Sequence, residues 1–163
     1  MYIVYEAFTD NSAIVLDVCT LQRIELTEQN LINFASNHEV LGASVSNRKL
    51  NYLNAYNCIS FASEEDVNDY IKENNLSYQN KRYINGYYFV FERKEYKIHV
   101  DYYVCTYAGE EVTYLCENGY SPYIQAAQAF DKRTAGEKAA LMTKKSKTGK
   151  HWTTQRVIVN RTI

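Results

Sequence analysis

The dipeptide Asn85-Gly86 sits within a block, residues 78–123, that holds eleven of the chain's sixteen tyrosines. This block limits the fold more than any other part of the chain. A type I′ turn needs positive φ at both central positions, which Asn and Gly tolerate, so the pair joins antiparallel strands at 81–84 and 87–93. A long strand follows at 97–107. Its even positions, Ile98, Val100, Tyr102 and Val104, read as a buried face, and His99, Asp101, Tyr103 and Cys105 read as the outward face. Ala108-Gly109-Glu110 and Glu117-Asn118-Gly119 are turn formers on either side of a strand at 111–116. Tyrosine, a large apolar ring with a polar tip, suits such half-buried sheet faces.

The flanking segments add helices to this β centre. Residues 2–8 and 13–19 form an opening hairpin around Thr9-Asp10-Asn11-Ser12. Short strands follow at 40–45, 50–56 and 58–61. Three segments begin with a capping residue: Thr27 with a Leu26/Leu31 staple, Ser63 with acids in the first turn, and Asp131. They predict helices at 27–36, 64–74 and 132–143. The first buries Leu31, Phe34 and Ala35; the second Val67, Tyr70 and Ile71; the third Ala135, Ala139, Leu141 and Met142. Gly136 costs its helix about 1 kcal/mol relative to alanine, and it reads as a point of close packing on the sheet. Residues 123–130 read as extended, and Trp152–Val159 closes the sheet. The fold class is therefore α+β, a mostly antiparallel sheet with about three short helices packed on it. The 163 residues fit one domain or two small parts, an α+β part at 1–95 and a ββ(β)αβ part at 96–163 with a basic loop.

Charge is distributed unevenly along the chain. Residues 131–163 hold nine Lys/Arg against two acids, a net of +7, whereas the whole chain carries −1, leaving −8 on residues 1–130. The basic surplus centres on Lys144, Lys145, Lys147 and Lys150, followed by Trp152 and Arg156. A helix C-terminus uses one or two cations to complement its dipole. Four is a surplus, and it fits a phosphate backbone or an acidic protein face. Glu64, Glu65, Asp66 and Asp69 form the acidic counterpart. Their plain reading is a solvated first helical turn, and their sharper one is a decoy for a basic nucleic-acid-binding groove.

Catalytic and metal chemistry find little support. The four cysteines make no CxxC and have no histidine pair nearby, so zinc is not expected and reduced, mostly buried thiols are. Cys105 and Cys116 flank a hairpin and are placed to face each other across it. His99, Asp101 and Cys105 share a strand face, but six residues at about 3.3 Å each put His99 roughly 20 Å from Cys105. A thiol and its base must touch. His38 and His151 stand alone, and there is no P-loop, GxGxxG or Ser–His–Asp pattern. No catalytic residue and no cofactor is expected. The start of the chain lacks a basic, then apolar leader, and Tyr87–Phe91 is too short to span a bilayer. A soluble, cytoplasmic protein is expected.

The chain's small size, its richness in Asn, Tyr and Lys, and its ending resemble proteins of Gram-positive phages and mobile elements. That ending runs from the cap Phe130-Asp131-Lys132-Arg133 through an Ala-rich helix and a Lys/Gly loop to the Trp152 strand. It resembles a module found among staphylococcal-type anti-CRISPR proteins, which inhibit Cas9. The resemblance covers about 45 residues and carries over no residue role. It implies a non-enzymatic inhibitor that binds a host nuclease or its guide–nucleic-acid complex in the bacterial cytoplasm. The acids at 64–73 and 110–117 would then occupy the nuclease's basic channel, and the lysines at 144–150 would meet its bound RNA or an acidic domain. The charge pattern by itself supports an alternative, a nucleic-acid-binding accessory protein that uses residues 144–156.

Overall fold

The computed structural model describes residues 1–162, with the side chains at 96, 161 and 162 outside that description. The chain is α+β, with three helices and four mostly antiparallel sheets among the described residues. It divides into two compact units, residues 1–98 together with 161–162, and residues 99–160.

The first unit opens with β1 (Tyr2–Ala7) and β2 (Ala13–Asp17), paired antiparallel with a bulge between Val4 and Glu6. Two short strands extend this sheet, β3 (Arg23–Leu26) beside β2 and β4 (Val40–Leu41) parallel to β1. The sequence reading missed β3. Between β3 and β4 runs α1 (Glu28–Asn37), whose cap Thr27 accepts a hydrogen bond from the Asn30 amide at 3.3 Å. Leu31 and Ile32 are its buried residues. Phe34 and Ala35, expected to be buried, are only partly so, and they pack against the core around Val4, Val15 and Val40.

The stretch expected as one strand at 40–45 is broken by Gly42, which has φ +101 and separates β4 from β5 (Ala43–Ser46). A Cβ there would lie 2.2 Å from the Asn54 carbonyl oxygen. Glycine is thus required both for the backbone conformation and for space. β6 (Lys49–Leu53) completes a two-stranded sheet with β5.

A second layer combines β7 (Tyr56–Phe61), α2 (Glu64–Glu73), β8 (Lys81–Ile84) and β9 (Tyr87–Arg93), with strand order β7-β9-β8. Asn85 and Gly86 take φ +50 and +87, the two positive values their hairpin demands. Val67 and Ile71 of α2 and Val90 of β9 are fully buried in one cluster, and Tyr70 is only half-buried against it. Lys94, read from the sequence as a turn residue, is buried. Its ammonium donates to the Tyr5 carbonyl and lies 3.8 Å from the centre of the Tyr5 ring. Burial pushes its pKa below the usual lysine range.

In the second unit β10 (Tyr96–Ala108), β11 (Glu111–Cys116), β12 (Gly119–Ser121) and β13 (Trp152–Thr162) form one sheet in the order β12-β11-β10-β13. α3 (Lys132–Lys145) precedes β13. The even positions of β10 are buried as expected. Cys105, expected to face outward, is fully buried, because Val104, Cys105 and Thr106 are covered in succession and the strand has no solvent face there. Cys105 stands opposite Tyr114 rather than Cys116, and all four cysteines are free thiols. The extended run expected at 123–130 is instead a short 3-10 turn, Ile124–Ala126, with only Phe130 bridged to Tyr102.

α3 also corrects two expectations. Its buried residues are Ala135 and Ala139, four apart on one face. Leu141 lies about 200° around the helix from Ala139 and is exposed. Gly136, next to the buried stripe rather than on it, has nothing within 4 Å of where a Cβ would stand, so close packing does not explain it. Urea unfolding should separate the two glycines. Gly136→Ala is expected to raise stability by roughly 0.5–1 kcal/mol, and Gly42→Ala to lower it by more than about 1 kcal/mol.

Candidate nucleic-acid interface

The feature of the second unit that can hold a partner begins with a hydroxyl. Thr143, in the last full turn of α3, accepts from the Trp152 amide at 2.8 Å, with its oxygen 3.2 Å from the Trp152 carbonyl and 2.9 Å from that of Ala139. This fastens the end of the helix to the start of β13. The loop between them closes on itself, because the Lys150 amide donates to Ser146 Oγ at 2.9 Å and Gly149 supplies a positive φ of 72°. At the other end of the helix Asp131 caps, accepting from the Thr134 amide at 2.9 Å and the Thr134 hydroxyl at 2.8 Å. The Thr134 donors hold its carboxyl below the usual aspartate range.

These ties leave an open groove of about 570 Å³ between the helix end and the sheet. One wall is apolar, made by Leu141 and Met142. The floor is aromatic: Trp152 is buried, and the Tyr120 ring lies 5.6 Å from it, centre to centre, with planes tilted by 37°. Lys145 and Lys150 line the same groove. On the other flank of α3 a second cleft of about 520 Å³ is lined by Lys144, His151 and Trp152 among others.

Of the basic residues singled out from the sequence, Lys145 and Lys150 line this groove and Lys144 the second cleft, whereas Lys147 and Arg156 line neither. Lys144, Lys145, Lys147 and Lys150 are all exposed, and none takes part in the three ion pairs found among the described residues. Lys144 and Lys145 occupy the last turn of α3, where the helix dipole favours them. Arg156 is exposed farther along β13. Arg161, counted with the basic tail, lies outside the described side chains. The excess of +7 is nevertheless diluted within its unit, since Asp101, Glu110, Glu111 and Glu117 fold with it. Residues 99–160 carry eight Lys/Arg and six Asp/Glu, a net of +2. The concentration is local: no acid occurs between Lys138 and Asn160.

The acidic set lies in the first unit, at the start of α2. Ser63 caps that helix by accepting from the Asp66 amide at 3.2 Å. Glu64, Glu65, Asp66 and Asp69 are exposed, and Glu64 is 3.6 Å from the Lys81 ammonium. Sequence reasoning overlooked Tyr120, Leu141 and Met142. The available signal was an adjacent pair of large apolar residues leading into a lysine run, read as core because the buried stripe had already been extended through them.

The candidate nucleophile does not assemble. His99 and Asp101 form a pair at 2.6 Å, while the Cys105 thiol is fully buried and pushed up by that burial. No group of three or more metal-ligating side chains occurs among the described residues. The fold and the groove together define an α+β protein with a lysine-rimmed, aromatic-floored surface site. Comparison with known protein families, with curated proteins and with solved structures returned no match.

Thiol chemistry provides a check on this geometry. Burial pushes the Cys58 pKa up to about 11 and raises that of Cys105, and the thiolate is the reactive form. A disulfide reagent at neutral pH should label exposed Cys19 first, half-buried Cys58 more slowly, and fully buried Cys105 only in denaturant, as read by mass spectrometry of the labelled peptides.

Proposed function

We propose that the protein works by binding rather than by breaking bonds, and that the groove's partner is a nucleic acid. The carrying observation is a run of four exposed lysines with no acid among them in sequence, two of which, Lys145 and Lys150, line an open groove. Lysine is a strongly hydrated point charge that suits phosphate oxygens. Each phosphate it neutralises releases condensed counterions, which gives affinity without sequence selectivity. Lys144, Lys145, Lys147 and Lys150 would track the backbone, and Arg156 extends the basic surface along β13.

The salt dependence of binding tests this reading. With four lysines engaged, log affinity against log salt should fall with a slope of roughly −3 to −4. Replacing all four lysines by glutamate should abolish binding. Absence of binding to any DNA or RNA at low salt overturns the reading.

A second reading follows from the acidic start of α2 together with the resemblance to phage and mobile-element inhibitors. Here the protein acts in the bacterial cytoplasm against a defence nuclease of the Cas9 type. The exposed carboxylates of Glu65, Asp66 and Asp69, which take part in none of the ion pairs among the described residues, would compete for the Lys/Arg contacts that such a nuclease makes to nucleic-acid backbones. Molar excess of protein should then suppress target cleavage, and lysine at those three positions should restore it. Undiminished cleavage by several type II nucleases removes this reading.

A further inference from the structure

We infer that the nucleic acid held by this groove is single-stranded, with one unpaired base stacked on Tyr120 and the neighbouring phosphates on Lys145 and Lys150. This rests on the nucleic-acid reading of the groove and narrows it to a substrate class. Phosphate contacts alone require nothing more than exposed lysines. The groove offers more than that, namely an aromatic ring and an apolar wall. Tyr120 is 64% exposed although it sits on the sheet, and Leu141 on the facing wall is 50% exposed. Both lie in the cavity that Lys145 and Lys150 also line.

Trp152, itself only 8% exposed, lies beside Tyr120 with ring centres 5.6 Å apart and planes tilted by 37°, which leaves much of the Tyr120 ring open to a ligand. The groove, about 570 Å³ and open to solvent, is comparable in size to small-ligand sites and has room for a base with its sugar. A duplex does not use these features. Its bases are stacked on one another and present only their edges in the grooves, leaving the Tyr120 ring and the Leu141 and Met142 wall uncovered. A single strand offers a base face to the ring and a flexible backbone to the lysines, the combination by which sequence-tolerant single-strand binders work.

The chain's one tryptophan lies beside the stacking residue and serves as the reporter. The full chain is titrated with an oligothymidylate of roughly ten nucleotides, within common single-strand site sizes, and separately with a duplex of equal length. Trp152 emission is expected to change with the single strand, which should bind more tightly than the duplex. Tyr120→Ala should weaken the single strand by about 5-fold to 150-fold, the range measured for loss of one aromatic stacking partner, and should leave any duplex binding unchanged. Tyr120→Phe should bind the single strand as the parent does, showing that the ring rather than the hydroxyl is used. Equal affinity for both forms, or an unchanged affinity of Tyr120→Ala, overturns the single-strand inference and leaves the lysine contact with phosphate standing. Failure of both oligonucleotides to bind overturns the groove as a nucleic-acid site, and this inference with it.

Discussion

Thr143 controls how the second unit is put together. Its hydroxyl is bonded to the backbone of Trp152, the residue that begins β13, and it does so from the helix that precedes that strand. A buried backbone amide without a partner costs roughly 1–3 kcal/mol, so the contact fixes where the strand starts relative to the helix end. That position in turn sets where the tryptophan lies at the end of the helix, beside the groove that Lys145 and Lys150 line. A valine at this position would keep the shape and lose the bond, leaving the helix end and the strand start to drift independently.

The rest of the site follows from small residues. Ala135 and Ala139 are the only side chains α3 buries, which leaves its larger apolar residues on the flank. The result is a helix that lies close to its sheet through one narrow stripe and exposes Leu141 beside its terminal lysines. Apolar surface and cationic surface are thereby interleaved rather than segregated. Such a mixed surface can engage a ligand that is itself mixed, carrying fixed negative charge alternating with flat, poorly hydrated rings. A purely ionic surface would hold any polyanion equally well.

Much of this architecture was legible in the sequence because local chemistry decided it. The caps Thr27, Ser63 and Asp131 placed all three helices to within two residues, and Asn85-Gly86 placed its hairpin. What the sequence concealed depended on long-range packing. Leu141 and Met142 look like core until Ala135 and Ala139 are seen to fill the contact. Cys105 looks exposed by alternation, but a central strand covered on both faces does not alternate. Lys94 looks like a surface turn residue, yet burial under Tyr5 follows from a strand almost ninety positions away. The lysine cluster was visible from composition, whereas the aromatic floor beneath it was not, because Tyr120 is one of sixteen tyrosines and only the fold distinguishes it from the others.

The outer strands of the first unit carry a consequence of their own. β3 and β8 each terminate a sheet, and each places charge on that margin, Arg23 with Glu25 on one and Lys81 with Arg82 on the other. An unpaired strand margin is a template on which further chains can add, and charged side chains make that addition costly. Strand-by-strand growth from either of these two margins would have to crowd or bury those charges.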